Sequence, residues 1–337
     1  MTATDILSLT ERELCGCLVS NGAAAFRAEQ LFLCLHKKRA QNFDDMRELP
    51  QSLRQRLKQT FYIPRCGMER AQNETRDGSV KLLHAVDGGF IETVVIKSSR
   101  GSAVCVSSQL GCRFACAFCA SGAKGFSRNL TAGEMLLQIY NAERALGIDA
   151  RRVLLMCTGE PLDNTRNVLR FIAVLREKHG KNISCRHITL STCGLPGQIR
   201  RLADLGLKIN LSVSLHAPYD ALRKRLMPKA SAYSTEEIIR ACDYFFKKTG
   251  RRVTWEYLLL SGINDAQNDA QRLAALLSGK NAHINLIPYN DTQKNAFKAG
   301  DGIFFQNALR GFGLNATVRN SKGGGVAAAC GQLRAAF

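Results

Sequence analysis

From about residue 102 the chain alternates, six times over, a short apolar run rich in β-branched residues with an amphipathic stretch, and nothing else in the sequence constrains the fold as strongly. The runs are SAVCVSS, RRVLLMCTG, HITLSTCG, KINLSVSLH, RVTWEYLLL and HINLIPYN. Between them lie segments such as TAGEMLLQIYNAERAL and STEEIIRACDYFFKK, whose apolar residues recur every three or four positions. Strands reached through a helix pair in parallel, so the pattern predicts an α/β core with helices outside a parallel sheet. In such a core the chemistry gathers where the strands end. Those ends read Ser107-Ser108, Thr158-Gly159-Glu160, Ser191-Thr192, Ser214-Leu215-His216 and Tyr289-Asn290. Thr131 and Glu134 have the spacing of a capping box that opens the first helix of the core.

Before this core, LTERELCGCLV, FRAEQLFLCLHKK and SLRQRLKQTF read as three helices, broken near Asn21-Gly22 and Leu49-Pro50. Residues 1–65 are therefore expected to form a small helical accessory domain with Arg and Lys outside. Residues 66–101 are expected to be an extension built on a hairpin, in which VKLLHAV turns through Asp87, Gly88 and Gly89 into FIETVVIK. The core then takes residues 102–318, and a tail takes 319–337. In that tail Gly323, Gly324 and Gly325 read as a mobile loop, because no Lys-Ser/Thr pair follows to make a phosphate cradle.

The chain carries 47 Lys and Arg against 28 Asp and Glu, a net charge of +19, which favours a polyanionic partner, nucleic acid first. Its start has no basic segment followed by an apolar one, and no apolar stretch is long enough to span a bilayer, so a cytoplasmic protein is expected. In a reducing compartment 13 cysteines do not make a disulfide framework, and a cluster of them calls for a metal or for catalysis. Scattered ones such as Cys34, Cys66 and Cys242 read as small apolar core residues.

The cluster follows the first strand: Cys112, Cys116 and Cys119 in GCRFACAFCASG. Three thiolates on one short loop can each hold one iron of a 4Fe-4S cubane and leave the fourth iron open. A closed structural zinc site would want four ligands, and no second Cys-x-x-Cys is nearby. This spacing, with aromatic Phe118 before the third cysteine, resembles the signature of the radical S-adenosylmethionine (SAM) superfamily. That resemblance implies SAM on the open iron, Gly159 and Glu160 against its amino group, and Ser191, Ser214, Leu215, His216 and Asn290 as further SAM-binding positions.

The segments CVSSQLGCRFACAFC, GFSRNLTAGEM, GEPLDN, LSVSLHAP, EYLLLSGIND, NLIPYN and ACGQL resemble the RlmN/Cfr family of radical SAM RNA adenine methyltransferases, over about residues 90–333. The resemblance implies a partial barrel of six β/α units. It also implies methylation of C2 of an adenosine in the peptidyl-transferase centre of 23S rRNA and of the adenosine 3′ of the tRNA anticodon. Cys330 would carry the methyl group on its sulfur, Cys105 would release the product through a transient disulfide, and Glu92 would take the ring proton. An external flavodoxin- or ferredoxin-like electron donor and a monomeric state go with this expectation. Arg319 and Lys322 are candidates for holding phosphate.

Without the resemblance, Cys105 reads more simply as a buried strand residue and Glu92 as a solvated carboxylate. Cys157 and Cys193 depart from the family pattern and receive no role. Two rival readings remain at this stage: C8 methylation of the same rRNA adenosine, as in the Cfr branch, and a non-catalytic, metal-containing RNA-binding protein.

Overall fold

The computed structural model describes residues 3–72, 78–98, 101–123, 125–230, 232–291, 297–319 and 332–333. A two-residue strand, β1 (Thr4–Asp5), leads into helices α1 (Glu11–Ser20), α2 (Arg27–His36) and α3 (Gln51–Thr60), and β2 (Phe61–Tyr62) returns to pair with β1 in parallel. Thr10 and Glu13 form the capping box that starts α1, Asn21 ends that helix, and Pro50 precedes α3. The three expected helices are all present.

Strands β3 (Gly67–Gln72), β4 (Ser79–Val86) and β5 (Gly89–Ile96) run antiparallel, with Asp87 and Gly88 as the turn of the expected hairpin. The hairpin is part of the main sheet, because β5 pairs antiparallel with β6 (Ser102–Cys105). Strand β3 was not foreseen from GMERAQ, which has no apolar alternation; it forms at the sheet's outer edge, where few side chains need burial. A short ribbon, β7 (Gln109–Gly111) with β8 (Phe126–Asn129), then brackets the cysteine loop.

The six runs become β6, β9 (Ala150–Leu155), β10 (Ile188–Thr192), β11 (Asn210–Ser214), β12 (Val253–Leu259) and β13 (Ala282–Pro288), each parallel to the next. Helices α4 (Ala132–Leu146), α5 (Thr165–Arg176), α6 (Pro196–Asp204), α7 (Asp220–Leu226), α8 (Thr235–Thr249), α9 (Gln267–Leu277) and α10 (Gly302–Gly311) supply the crossovers. A seventh parallel strand, β14 (Ala316–Val318), follows α10 and ends the ten-stranded sheet; three residues were too few to carry a readable period. The fold is a partial, open (β/α)6 barrel with a helical N-terminal part. The expected box at Thr131 and Glu134 opens α4, closed by hydrogen bonds of 2.8 and 3.1 Å.

Strand interiors such as Val153, Leu190, Leu211, Val213 and Tyr257 are fully buried, and the same apolar cluster takes in Leu14, Leu31 and Phe32 of the helical part. Burying a side chain of that size stabilises by about 1.5–3 kcal/mol, so the N-terminal helices are held chiefly by apolar contact. Polar ties add position: His36 Nδ1 lies 2.8 Å from the Tyr140 hydroxyl, and Arg170 is 2.8 Å from Glu13. Among the described residues no helix is long and apolar enough to cross a membrane.

Three histidines are buried as neutral rings: burial lowers His36 to about 3, His84 to about 4, and His216, with help from the charge of Arg223, to about 3. Each folded value lies below the unfolded value near 6.5, so the unfolded chain binds more protons between the two. Their contribution is complete above about pH 6.5 and is lost as pH falls toward 4. Denaturant titrations are expected to show a loss on the order of several kcal/mol across that window; a flat profile would contradict neutral burial.

Candidate active site

The cysteine loop leaves β7 at Gly111, whose φ of 74° places it where a Cβ would come 2.1 Å from the Gly125 carbonyl, so only glycine lets the ribbon close. Backbone bonds from Cys112 to Gly125 (2.9 Å), Cys119 to Cys116 (3.1 Å) and Ala117 to Leu226 (2.9 Å) fix the loop on itself and on α7. Cys112, Cys116 and Cys119 are half-buried, form no disulfide and line one cavity. Among the described residues, the trio whose ligand atoms all fall within 4.8 Å of one another is Glu11, Glu29 and His179, far from this loop in sequence. A cubane would offer each of the three thiolates its own iron.

Burial pushes the Cys112 thiol up to about 12 and also raises Cys116, with Cys119 adding to the effect. Such thiols give up their protons to a bound cation rather than to water. Arg223 favours the ionised form at Cys116 and at Cys193. It is fully buried, its Nη1 donates to the Ala230 carbonyl at 2.7 Å, and its Nη2 donates to the Cys193 carbonyl. Sequence reasoning missed Arg223, which stands among other charged residues in DALRKRL. The donor set and this buried positive charge suit an anionic iron-sulfur cluster.

The strand ends meet the same cavity. Gly159, Glu160, Ser191, Ser214 and His216 line it together with the cysteines. Glu160 is buried, and its oxygens accept backbone hydrogens from Leu162 at 2.9 Å and Cys193 at 2.6 Å; burial raises its pKa while those bonds lower it. Cys193, given no role from the sequence, also turns its thiol to this carboxylate. His216 Nδ1 accepts from the Leu258 N–H at 3.0 Å, so its proton sits on Nε2, and its ring meets Phe118 edge-on at 4.9 Å. Leu215 turns its side chain into the main core, which leaves it only backbone groups to offer. Asn290 is half-buried just beyond β13.

Glu256 was also missed, although a lone glutamate within the apolar run RVTWEYLLL is a visible signal. It lines an adjoining cavity with Ser191, Ser214 and His216. Its Oε1 accepts from Ser212 at 2.8 Å and Asn285 at 3.2 Å, while its buried Oε2 has no hydrogen-bond partner among the described residues.

Gly159 gives a direct test of how tightly the cavity is built. Its φ is +106°, and a Cβ would stand 2.6 Å from Gln109 Cβ and 2.8 Å from Ser108 Oγ. Gly159→Ala is expected to cost about 1–3 kcal/mol of stability and to weaken SAM binding at least about tenfold. Unchanged thermal unfolding and SAM affinity would show that the turn gives way freely.

Around the end of β6, Glu92, Cys105 and Cys157 lie together. Glu92 is only 3% exposed, so it is no solvated hairpin carboxylate, and its Oε1 is 3.0 Å from Lys81 Nζ. Cys105 is buried and packs with Val94 and Leu333. The Leu333 carbonyl accepts from Ser121 Oγ at 3.1 Å, which ties the C-terminal tail to the cysteine loop. Arg319 is half-buried and lines the adjoining cavity. Lys322, Gly323, Gly324, Gly325 and Cys330 lie outside the described residues.

Two family profiles match the chain: "Radical SAM superfamily" over residues 106–274 and "Ribosomal RNA large subunit methyltransferase N-terminal domain" over residues 4–63. A Clostridium perfringens protein named "Probable dual-specificity RNA methyltransferase RlmN" is 44% identical over 337 residues, covering 99% of this chain and 97% of its own length. A protein of the same name from Lachnospira eligens is 43% identical over 335 residues, covering 98% and 96%. The crystal structure of a radical SAM methyltransferase from Sphaerobacter thermophilus superposes with a TM-score of 0.92 at 40% identity, covering 99% of this chain and 100% of that one.

Proposed function

Since the chain belongs to the radical SAM superfamily and, within it, to the RlmN family of RNA methyltransferases, we propose that it methylates C2 of an adenosine in 23S rRNA and of the adenosine 3′ of the tRNA anticodon. C2 of adenine is electron-poor and has no lone pair, so it cannot attack the SAM methyl group as an ordinary nucleophile would. A carbon radical can add there instead. A 4Fe-4S cluster on Cys112, Cys116 and Cys119 would supply the electron that splits SAM into such a radical.

The chain's own residues do the rest. Glu160 accepts from the SAM ammonium, a charge-assisted hydrogen bond, and Ser191, Ser214, His216 and Asn290 hold the remaining polar groups. Cys330 takes a methyl group onto sulfur from one SAM by displacement. Once the radical split from a second SAM has taken a hydrogen atom from that methyl, the resulting carbon radical adds to C2 and tethers the RNA to Cys330. Glu92 removes the C2 proton. Once the adduct's unpaired electron has passed to the oxidised external donor, the Cys105 thiolate attacks the Cys330 sulfur; the carbon keeps the electron pair of the broken bond and takes a proton, leaving methylated RNA and a Cys105–Cys330 disulfide.

One observation carries this reading. Leu333, three residues beyond the carrier, packs on Cys105 and bonds to the cysteine loop. A three-residue tether reaches at most about 10 Å. The positive charge suits an RNA substrate, whose adenosine must leave its stack to enter the cavity. A cytoplasmic monomer reduced by a flavodoxin- or ferredoxin-like donor completes the proposal.

Nucleoside mass spectrometry of rRNA and tRNA from cells with and without the gene tests it. Loss of 2-methyladenosine from both RNAs on deletion is expected. Loss of 8-methyladenosine would move the reaction to C8, and unchanged RNA would leave only a binding role.

A further inference from the structure

A base that takes a proton from carbon has to be ionised, and the fold has buried Glu92 where water does little to keep a carboxylate charged. Strands β4 and β5 pair antiparallel, with Leu83 opposite Glu92 and Lys81 opposite Val94, and β5 pairs with β6 so that Val94 stands opposite Cys105. Alternate residues of a strand share a face, so Lys81, Leu83, Glu92, Val94 and Cys105 lie on one side of the sheet. There Val94, Cys105 and Leu333 form a small buried cluster. Lys81 Nζ stands 3.0 Å from Glu92 Oε1, and the two side chains are 12% and 4% exposed. The Ser107 hydroxyl donates to the Glu92 carbonyl oxygen at 2.6 Å, so the backbone of Glu92 is held from the β6 side and its carboxylate from β4.

We propose that Lys81 is a positioning residue for the C2 proton transfer, its ammonium holding the Glu92 carboxylate ionised and fixed in direction without itself touching the RNA. The inference rests on Glu92 being the proton acceptor. Taking a carboxylate out of water disfavours its charged form, and an opposite charge in contact restores it. A neutral Glu92 has no place for the proton, so the charge of Lys81 sets how much of the enzyme can complete the step. Cys105 and Cys157 face the same spot from β6 and from just beyond β9, and neither brings a positive charge. On transfer the ring proton passes to Glu92 while Lys81 stays protonated. The neutral acid gives that proton to water once the RNA has left, and the ion pair returns.

Stability does not account for the pair. Two buried charges each give up their water, and apolar residues of similar volume often serve the fold as well or better. Apolar side chains at both positions would simply extend the face that Val94 and Cys105 already occupy. Removing one charge alone is the costly change, because it leaves the other buried and unmatched.

The test uses the reconstituted full-length enzyme in a single turnover on an RNA stem-loop whose target adenosine carries protium or deuterium at C2. Denaturing gels follow the protein–RNA adduct, and freeze-quench electron paramagnetic resonance follows its unpaired electron. In Lys81→Met the adduct should still form, its release should slow roughly tenfold or more, and its decay should show a primary isotope effect. Lys81→Arg, which returns a cation, should regain most of the rate. The double variant Lys81→Met, Glu92→Gln has lost both charges and is expected to fold even where the single variant does not; it should release RNA no more slowly than Glu92→Gln alone. Release from Lys81→Met at the wild-type rate, equal slowing with protium and deuterium, or further slowing in the double variant would each overturn the role of Lys81 and leave Glu92 in place. If Glu92→Gln itself released methylated RNA at the wild-type rate, the assignment of Glu92 would fall and that of Lys81 with it.

Discussion

Cys105→Ala is expected to leave the enzyme covalently attached to its RNA. The carrier can still take a methyl group and add it to the ring, but the thiol that cuts the link is gone. The adduct should appear on denaturing gels as a protein–RNA band that persists in reductant, and free methylated product should fall on the order of a hundredfold or more. Cys157 is the neighbouring thiol that could partly stand in, so the double variant Cys105→Ala, Cys157→Ala should show the band in full. Free, fully methylated RNA at wild-type yield from the double variant would remove Cys105 from the reaction.

The second large effect concerns Cys330. Cys330→Ala should abolish RNA methylation, a loss of roughly a thousandfold or more, because no other sulfur carries the methyl group to the ring. The iron-sulfur absorption of the reconstituted protein should remain, since Cys112, Cys116 and Cys119 supply the cluster's thiolates from one loop fixed by its own backbone bonds and by α7. Loss of the visible spectrum in this variant would make Cys330 an iron ligand instead of a carrier. A protein that kept both spectrum and methylation would show that the methyl group travels without a sulfur intermediate.

The parts of the fold that could be read from the sequence are those whose physics is local and repeated. Parallel strands buried on both faces have to be nearly continuous apolar runs, so β6 and β9–β13 announced themselves. The capping boxes and the Asp87-Gly88 turn rest on contacts within a few residues. Edge elements did not show, since β3 needs little burial at the sheet's edge and β14 is only three residues long.

The site divides along the same line. Cys112, Cys116 and Cys119 share one loop and could be recognised by spacing. Glu160, Ser191, Ser214 and His216 could be placed by their common level at strand ends. Arg223 sits among other charges in DALRKRL and is fully buried, which only the packing of α7 under the cysteine loop reveals. The closeness of Cys157 to Cys105 depends on β6 and β9 being neighbours across 52 residues of chain, so no spacing rule could have found it.

The measurement that bears most directly on the whole account is made on anaerobically reconstituted, full-length protein. Iron and acid-labile sulfide are assayed, and the reduced enzyme is then incubated with SAM. About four irons and four sulfides per chain, with 5′-deoxyadenosine released on reduction, are the expected results. Trace iron, or a single zinc in its place, and no 5′-deoxyadenosine would contradict the assignment of Cys112, Cys116 and Cys119 and everything built on it.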